Sequence, residues 1–271
     1  LNAFQKRAFT GALFLLATTA AVLSGYLLYW ILLYSLSLGI LNELRQLFTL
    51  SWGMALKAAS LNTAFFLYSI FSTHTLDPAY ALYFKHLFLL LVLLAFVSEL
   101  YSKAGSPVEN LGKLFLSVSY VGLPLGLAAQ LPFIGGTYHA ALILSLLILI
   151  WTNDTFAYLI GRCWGRIKLF ERISPNKTVE GFVGGLASTL SAAKVLSVYI
   201  PLVRYPHWMV LGGGVAVFGT LGDLVESMFK REFSVKDTGK VLPGHGGFLD
   251  RLDSFLLVVP IAYLYIQCTL A

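Results

Sequence analysis

A run of about 20 residues with almost no charge is stable in only two settings, a large protein core or the hydrocarbon of a membrane. This chain strings many such runs together. They fall at roughly 8–23, 25–41, 55–72, 79–99, 112–132, 138–160, 178–202, 207–230 and 250–270. Only 12% of the 271 residues are charged, and mean hydropathy is +0.78. A soluble domain carries about 25% charged residues, so a soluble core does not fit. Backbone groups in lipid must be paired within their own segment, and strict polar–apolar alternation is absent. The expected architecture is therefore all-α: a polytopic integral membrane protein of about nine transmembrane helices. A polar patch (Asn42, Glu43, Arg45, Gln46) is expected to break the chain after the second span.

Positive charge sets the orientation. With the N-terminus inside, 16 of the 19 Lys and Arg fall on inner segments; Arg204 alone sits in an outer loop, and Lys85 and Lys194 lie within spans. This predicts a cytosolic N-terminus, an outer C-terminus and two charged cytosolic loops, 161–177 and 231–249. Residues 1–110 carry little besides apolar spans and read as supporting, lipid-facing helices. Residues 111–271 hold nearly all the polar constellations and read as the catalytic region. Cys163 and Cys268 match no disulfide or zinc spacing and read as incidental.

The densest charge lies in Ser227–Asp253, between two apolar runs. Asp223 and Glu226 end one span, and Asp250 and Asp253 begin the next. At three-residue spacing each pair shares a helix face. Clustered carboxylate oxygens suit Mg²⁺, particularly when substrate phosphates complete its shell. Two plainer readings stay open: each acid pairs with a neighbouring Lys or Arg, or Asp250 merely serves a helix N-terminus. Asp223 and Glu226 lie near a helix C-terminus, where the dipole opposes them, and so call for another reason. Lys230, Arg231, Lys236, Lys240 and Arg251 surround the acids, and Gly244-His245-Gly246-Gly247 can turn backbone N–H groups toward phosphate. Basic side chains here also suit anionic lipid headgroups.

A second constellation lies upstream. Asp154 stands within an apolar run, about two turns from the span's inner end, and needs a partner or a metal. Ser174 and Thr178 can cap a helix that opens near Thr178. With Lys177 beside it, that terminus is a candidate phosphate site. Ordinary capping with topology-setting charge is the alternative.

These residues resemble the CDP-diacylglycerol synthases (phosphatidate cytidylyltransferases). The family signature reads here Ser227-x-Phe229-Lys230-Arg231, four residues, Lys236-Asp237-x-Gly239, two residues, Leu242-Pro243-x-His245-Gly246-Gly247-Phe248-x-Asp250-Arg251-Leu252-Asp253. Upstream, Asp154-Thr155-x-Ala157-Tyr158, Gly161-Arg162 and Ser174-Pro175-x-Lys177-Thr178-x-Glu180-Gly181 resemble its second characteristic region. The resemblance covers roughly 150–255, and residues 1–110 are similar to the family only in being hydrophobic.

The resemblance implies Mg²⁺-dependent conversion of CTP and phosphatidic acid to CDP-diacylglycerol and pyrophosphate, with phospholipid biosynthesis as its setting. It implies a helical homodimer in the bacterial cytoplasmic (inner) membrane, with its active site facing the cytosol and no nucleic-acid partner. Asp223, Asp250 and Asp253 would hold one metal ion or a pair, with Asp154 as a further ligand. Lys236 and His245 join these acids as catalytic residues, His245 as an acid on pyrophosphate. Ser174, Lys177, Thr178, Lys230, Arg231, Gly246, Gly247 and Arg251, together with Asp154, would bind substrate. Two other classes fit the sequence less well. A transporter would place its acids near the bilayer midplane between repeats, whereas here the charge sits at span ends and no repeat is visible. A CTP-dependent lipid kinase would need a base for an alcohol, and the full signature argues against it.

Overall fold

The computed structural model describes residues 3–73, 77–102, 105–239, 241 and 246–269, with the side chains of 3–8 and 78 excepted. His245, Lys240 and Gly244 lie outside the described residues. The chain packs as two compact units, Leu1–Tyr138 with Asp237–Asp250, and His139–Lys236 with Arg251–Ala271. Among the described residues, eight helices are long and apolar enough to cross a membrane, and a shorter apolar helical stretch covers Phe9–Leu23. The protein is an all-α polytopic membrane protein.

The first unit contains α1 (Ala3–Leu23), α2 (Tyr26–Leu47), α3 (Trp52–Phe71), α4 (Pro78–Leu100), α5 (Pro107–Ser117) and α6 (Leu123–Gln130). α1 stops at Ser24-Gly25, where Gly25 takes φ 111°, a conformation that side chains other than glycine's resist. α3 is capped by Ser51, which accepts from the Met54 amide at 3.3 Å, and α4 opens on Asp77-Pro78. Between α5 and α6 the helix widens into a π turn, Val118–Gly122. Pro124 supplies the reason: it brings no N–H, and its ring crowds the carbonyl four residues back. The last carbonyls of α6 find donors on α2, where Tyr29 Oη reaches Ala128 O at 2.9 Å and Trp30 Nε1 reaches Ala129 O at 3.0 Å. A two-residue hairpin, β1 (Phe133–Ile134) and β2 (Thr137–Tyr138), turns through Gly135-Gly136, both at positive φ. α4 leaves Leu89, Leu90, Leu93 and Leu94 exposed, as a lipid-facing helix should.

The first unit corrects one expectation. The polar patch at 42–46 does not break the chain: α2 continues to Leu47, and Glu43 is only 2% exposed. Lys57 of α3 is ion-paired within the same unit. Its Nζ lies 2.7 Å from Glu99, whose other oxygen accepts from Asn110 at 3.1 Å, so one carboxylate ties α3, α4 and α5 together.

The second unit contains α7 (Ala140–Trp164), β3 (Lys168–Phe170), β4 (Ser174–Thr178), α8 (Val179–Tyr199), α9 (Tyr205–Glu232) and most of α10 (Leu249–Thr269). The expected loop 161–177 is shorter and more ordered than the sequence suggests. α7 runs on to Trp164, and β3 and β4 pair as an antiparallel hairpin. Thr178 caps α8, its Oγ1 accepting from the Gly181 amide at 3.1 Å, while Ser174 pairs with Phe170 within the hairpin and is not the cap. Small residues let backbones touch. A Cβ at Gly181 would stand 2.7 Å from the Ala157 carbonyl oxygen of α7. At Gly222 of α9 it would stand 2.5 Å from the Asp253 carbonyl oxygen of α10.

Candidate active site

In the second unit the closely packed helices place acids and lysines together. Asp223 and Glu226 share one face of α9, and Gly222 lets α10 bring Asp253 against them. One carboxylate oxygen from each of the three lies within 4.8 Å of the others. Lys177, at the end of β4, sets its Nζ 2.6 Å from Asp223 Oδ2. Lys230, one turn beyond Glu226 on α9, pairs with that buried carboxylate. Asp154 of α7 stands within charge-interaction range of Lys177 and Asp223, and Asp253 within range of Asp223, Asp154 and Lys230. Three helices and a hairpin thus supply four acids and two ammonium groups to one cluster. Asp154 lies ten residues before the end of α7, deeper than the expected two turns, because that helix extends to Trp164.

Such a cluster holds together because its charges alternate in sign. Carboxylates removed from water are costly unless paired or coordinated, and each lysine answers one of them. Three converging oxygens also form a set that a hard divalent cation takes as ligands. Glu226 belongs to that set although the family signature does not single it out. Its spacing from Asp223 was the available signal.

The remaining basic residues of this unit divide. Arg231 donates from Nε to the Ile173 carbonyl at 3.2 Å and ties the end of α9 to the hairpin. Lys236 and Arg251 are exposed. Ser174 is half-buried in β4.

The first unit holds Asp250, Gly246 and Gly247, three residues that the signature assigns to the same chemistry. Asp250 Oδ2 accepts from the Thr238 amide at 3.0 Å, the Thr238 hydroxyl at 3.0 Å and the Gly247 amide at 2.8 Å. Gly246 turns the chain at φ 83°. The next two amides go to Glu43 of α2: Phe248 N to Oε1 at 2.8 Å and Leu249 N to Oε2 at 3.0 Å. The amides of Gly247, Phe248 and Leu249 are thus engaged by the protein's own carboxylates, where the sequence suggested glycine-turn amides facing phosphate. Asp250 and Asp253 are three residues apart in α10 yet belong to different packing units. Sequence reasoning missed Glu43. The signal was an acid near the C-terminal end of an apolar helix, the position that had already marked Asp223 and Glu226 as needing a reason.

Comparison with known proteins gives the family. The profile of the cytidylyltransferase family matches residues 5–269. A Bacillus subtilis protein named phosphatidate cytidylyltransferase is 33% identical over 265 residues, covering 96% of this chain and 96% of its own length. Proteins of the same name from Staphylococcus saprophyticus and Staphylococcus aureus are each 45% identical over 148 residues, 54% of this chain and 55% of theirs. The alignment thus spans about half the length of the staphylococcal relatives and nearly all of the Bacillus one. With the profile spanning almost every residue, the chain belongs to the cytidylyltransferase family.

Proposed function

We propose that this chain converts CTP and phosphatidic acid to CDP-diacylglycerol and pyrophosphate, the activity named in its relatives. A phosphate oxygen of the lipid attacks the α-phosphorus of CTP. The new P–O bond forms as the bond from that phosphorus to the bridging oxygen breaks, and pyrophosphate leaves with the electron pair. The nucleophile is already an anion, so no base has to remove a proton. The barrier is the repulsion between two polyanions and the charge that builds on the leaving group.

The observation that carries this reading is the acid–lysine cluster of the second unit. Asp223, Glu226 and Asp253 fit a hard cation, since their oxygens approach one another closely enough to share it. Mg²⁺ held there would neutralise phosphate charge and act as a Lewis acid on the phosphoryl group. Lys177 and Lys230 bring fixed positive charge to the same place. Asp154 helps hold Lys177 in position, and Arg231, Lys236 and Arg251 attract phosphates. For Asp250, Gly246, Gly247 and His245 we retain the roles the signature implies. A second metal ion rests on the family resemblance alone.

We assign catalysis to residues 111–271 and support to 1–110. We place the protein in the bacterial cytoplasmic membrane with the site facing the cytosol, a reading supported by the inner-side excess of Lys and Arg. The homodimer rests on the family resemblance. A reporter fused after Ala271 should lie outside the cytoplasm, and a cytosolic signal would overturn this orientation.

The deciding assay uses purified full-length protein in detergent with labelled CTP, phosphatidic acid and Mg²⁺. Labelled CDP-diacylglycerol is expected, with loss on chelation and recovery on adding Mg²⁺ back. No product from intact protein would sink the assignment. Turnover undiminished by chelation would remove the metal from it.

A further inference from the structure

We propose that Glu43 is a positioning residue for the reaction: from α2 it sets the start of α10 and the glycine turn before it. The inference rests on the proposed function, because that reading gives the turn its chemical work.

Glu43 is a buried carboxylate near the end of an apolar helix, where burial and the helix dipole both disfavour its charge. Its compensation comes from backbone 205 residues away in sequence. Phe248 N donates to Oε1 and Leu249 N to Oε2. These amides stand at the opening of α10, where helical N–H groups lack partners within the helix. One side chain therefore supplies from another helix what an N-cap residue usually supplies locally. It also places negative charge at a helix N-terminus, the favourable end.

The surroundings are shaped to this contact. A Cβ on Gly239 would stand 2.7 Å from Glu43 Oε1, and one on Gly247 would also collide with the carboxylate. One turn earlier on the same face of α2, a Cβ on Gly39 would stand 2.8 Å from the Phe248 ring. Gly39 makes room for the side chain of Phe248 while Glu43 holds its amide. Thr238 stands beside both acids of this clamp: its hydroxyl donates to Asp250 Oδ2 and its dipole acts on the Glu43 carboxylate. The turn at Gly246, the amide of Gly247 and the carboxylate of Asp250 are thus fixed relative to α2 through Glu43.

The test compares three variants of the full-length protein in detergent: Glu43→Gln, Gly39→Ala and, as a control, Glu99→Gln. Glu99 is a comparably buried acid of the same unit, 4% exposed, that binds Lys57 and Asn110 and does not touch the turn. Gln at 43 can accept from one amide only, and a buried donor left unpaired is costly. Glu43→Gln should lower kcat/KM for CTP about tenfold or more and speed hydrogen exchange of the Phe248 and Leu249 amides. Gly39→Ala adds a residue that α-helices favour and leaves the carboxylate in place, yet pushes Phe248 away. It should lower kcat/KM about threefold or more without lowering the melting temperature. Glu99→Gln should lower the melting temperature and leave kcat/KM within about twofold.

The proposal is overturned if Glu43→Gln and Gly39→Ala both stay within about twofold of the parent. It is equally overturned if activity in all three variants simply follows melting temperature. Should Glu43→Gln not fold, Gly39→Ala carries the test. If the parent makes no CDP-diacylglycerol, the proposed function fails. Amide exchange at 248 and 249 then still decides whether Glu43 holds the turn.

Discussion

The two units use the same chemical group, a carboxylate near a helix end, in opposite ways. In the second unit Asp223 and Glu226 face ammonium groups and each other's neighbours. In the first, Glu43 and Asp250 face backbone amides and the Thr238 hydroxyl. An acid answered by mobile cations can exchange them for a metal ion or release them to a phosphate. An acid answered by amides of its own chain fixes geometry and has little freedom to change partners. Residue type and helix-end position do not separate the two cases. The partner does.

That contrast can be broken by substitution, and the largest effect is expected at the cation-facing acids. Asp253→Asn and Asp223→Asn should each lower CDP-diacylglycerol formation by at least about a hundredfold, since they remove charge where it must be balanced in the transition state. Residual activity above about a tenth in either variant would take the cluster out of the chemistry. Asp250→Asn comes next. The amide keeps one acceptor for the Gly247 and Thr238 donors but loses the charge, so turnover should fall by about tenfold to a hundredfold with some loss of stability. If Asp250→Asn were more damaging than Asp253→Asn in initial-rate assays, the two units would have to exchange roles.

Lys177→Met should lower turnover by about tenfold and raise the Mg²⁺ concentration needed for half-maximal rate no further, because the variant removes a competing cation as well as a phosphate partner. A marked rise in that Mg²⁺ requirement would mean that Lys177 supports the metal ligands instead. The smallest effect is expected at the helix cap. Thr178→Ala should cost about 1 kcal/mol of stability, read by thermal unfolding in detergent, with turnover falling only as far as Lys177 loses its position beside the cap. An unchanged melting temperature would show that the capping bond to Gly181 contributes little.

Much of the fold was legible in the sequence, because apolar runs of bilayer length admit few alternatives. The helices from α2 to α10 fall where the hydropathy places them, with ends shifted by a few residues. The shifts are informative. Asn42-Glu43-Leu44-Arg45-Gln46 is polar enough to suggest a break, yet α2 continues because Glu43 finds two amide donors and Arg45 stacks over Trp52 at 4.1 Å. The stretch 161–177 reads as a loop because short strands leave almost no periodic signal. It pairs as a hairpin all the same.

The candidate site was legible in part. Asp223, Glu226 and Asp253 stood out as acids in an apolar context, and Asp154 for the same reason. Lys177 was legible as a cation at a helix opening. What could not be read was which acid would face which donor. The partner of Glu43 lies 205 residues away, and no local pattern encodes a contact of that span. Asp250 and Asp253 look equivalent at three-residue spacing. One is held by Thr238 and Gly247, while the other stands with Asp223 and Glu226.

By itself the sequence determined the solvent this protein requires, its helical class and the residue types available for phosphate and metal chemistry. Those follow from transfer free energies and pairing rules that act residue by residue or within one helical turn. Only the tertiary structure decided how the carboxylates are divided between charge balancing and backbone support. That division depends on how closely helices approach at Gly39, Gly181 and Gly222, and such distances arise from packing across the whole chain.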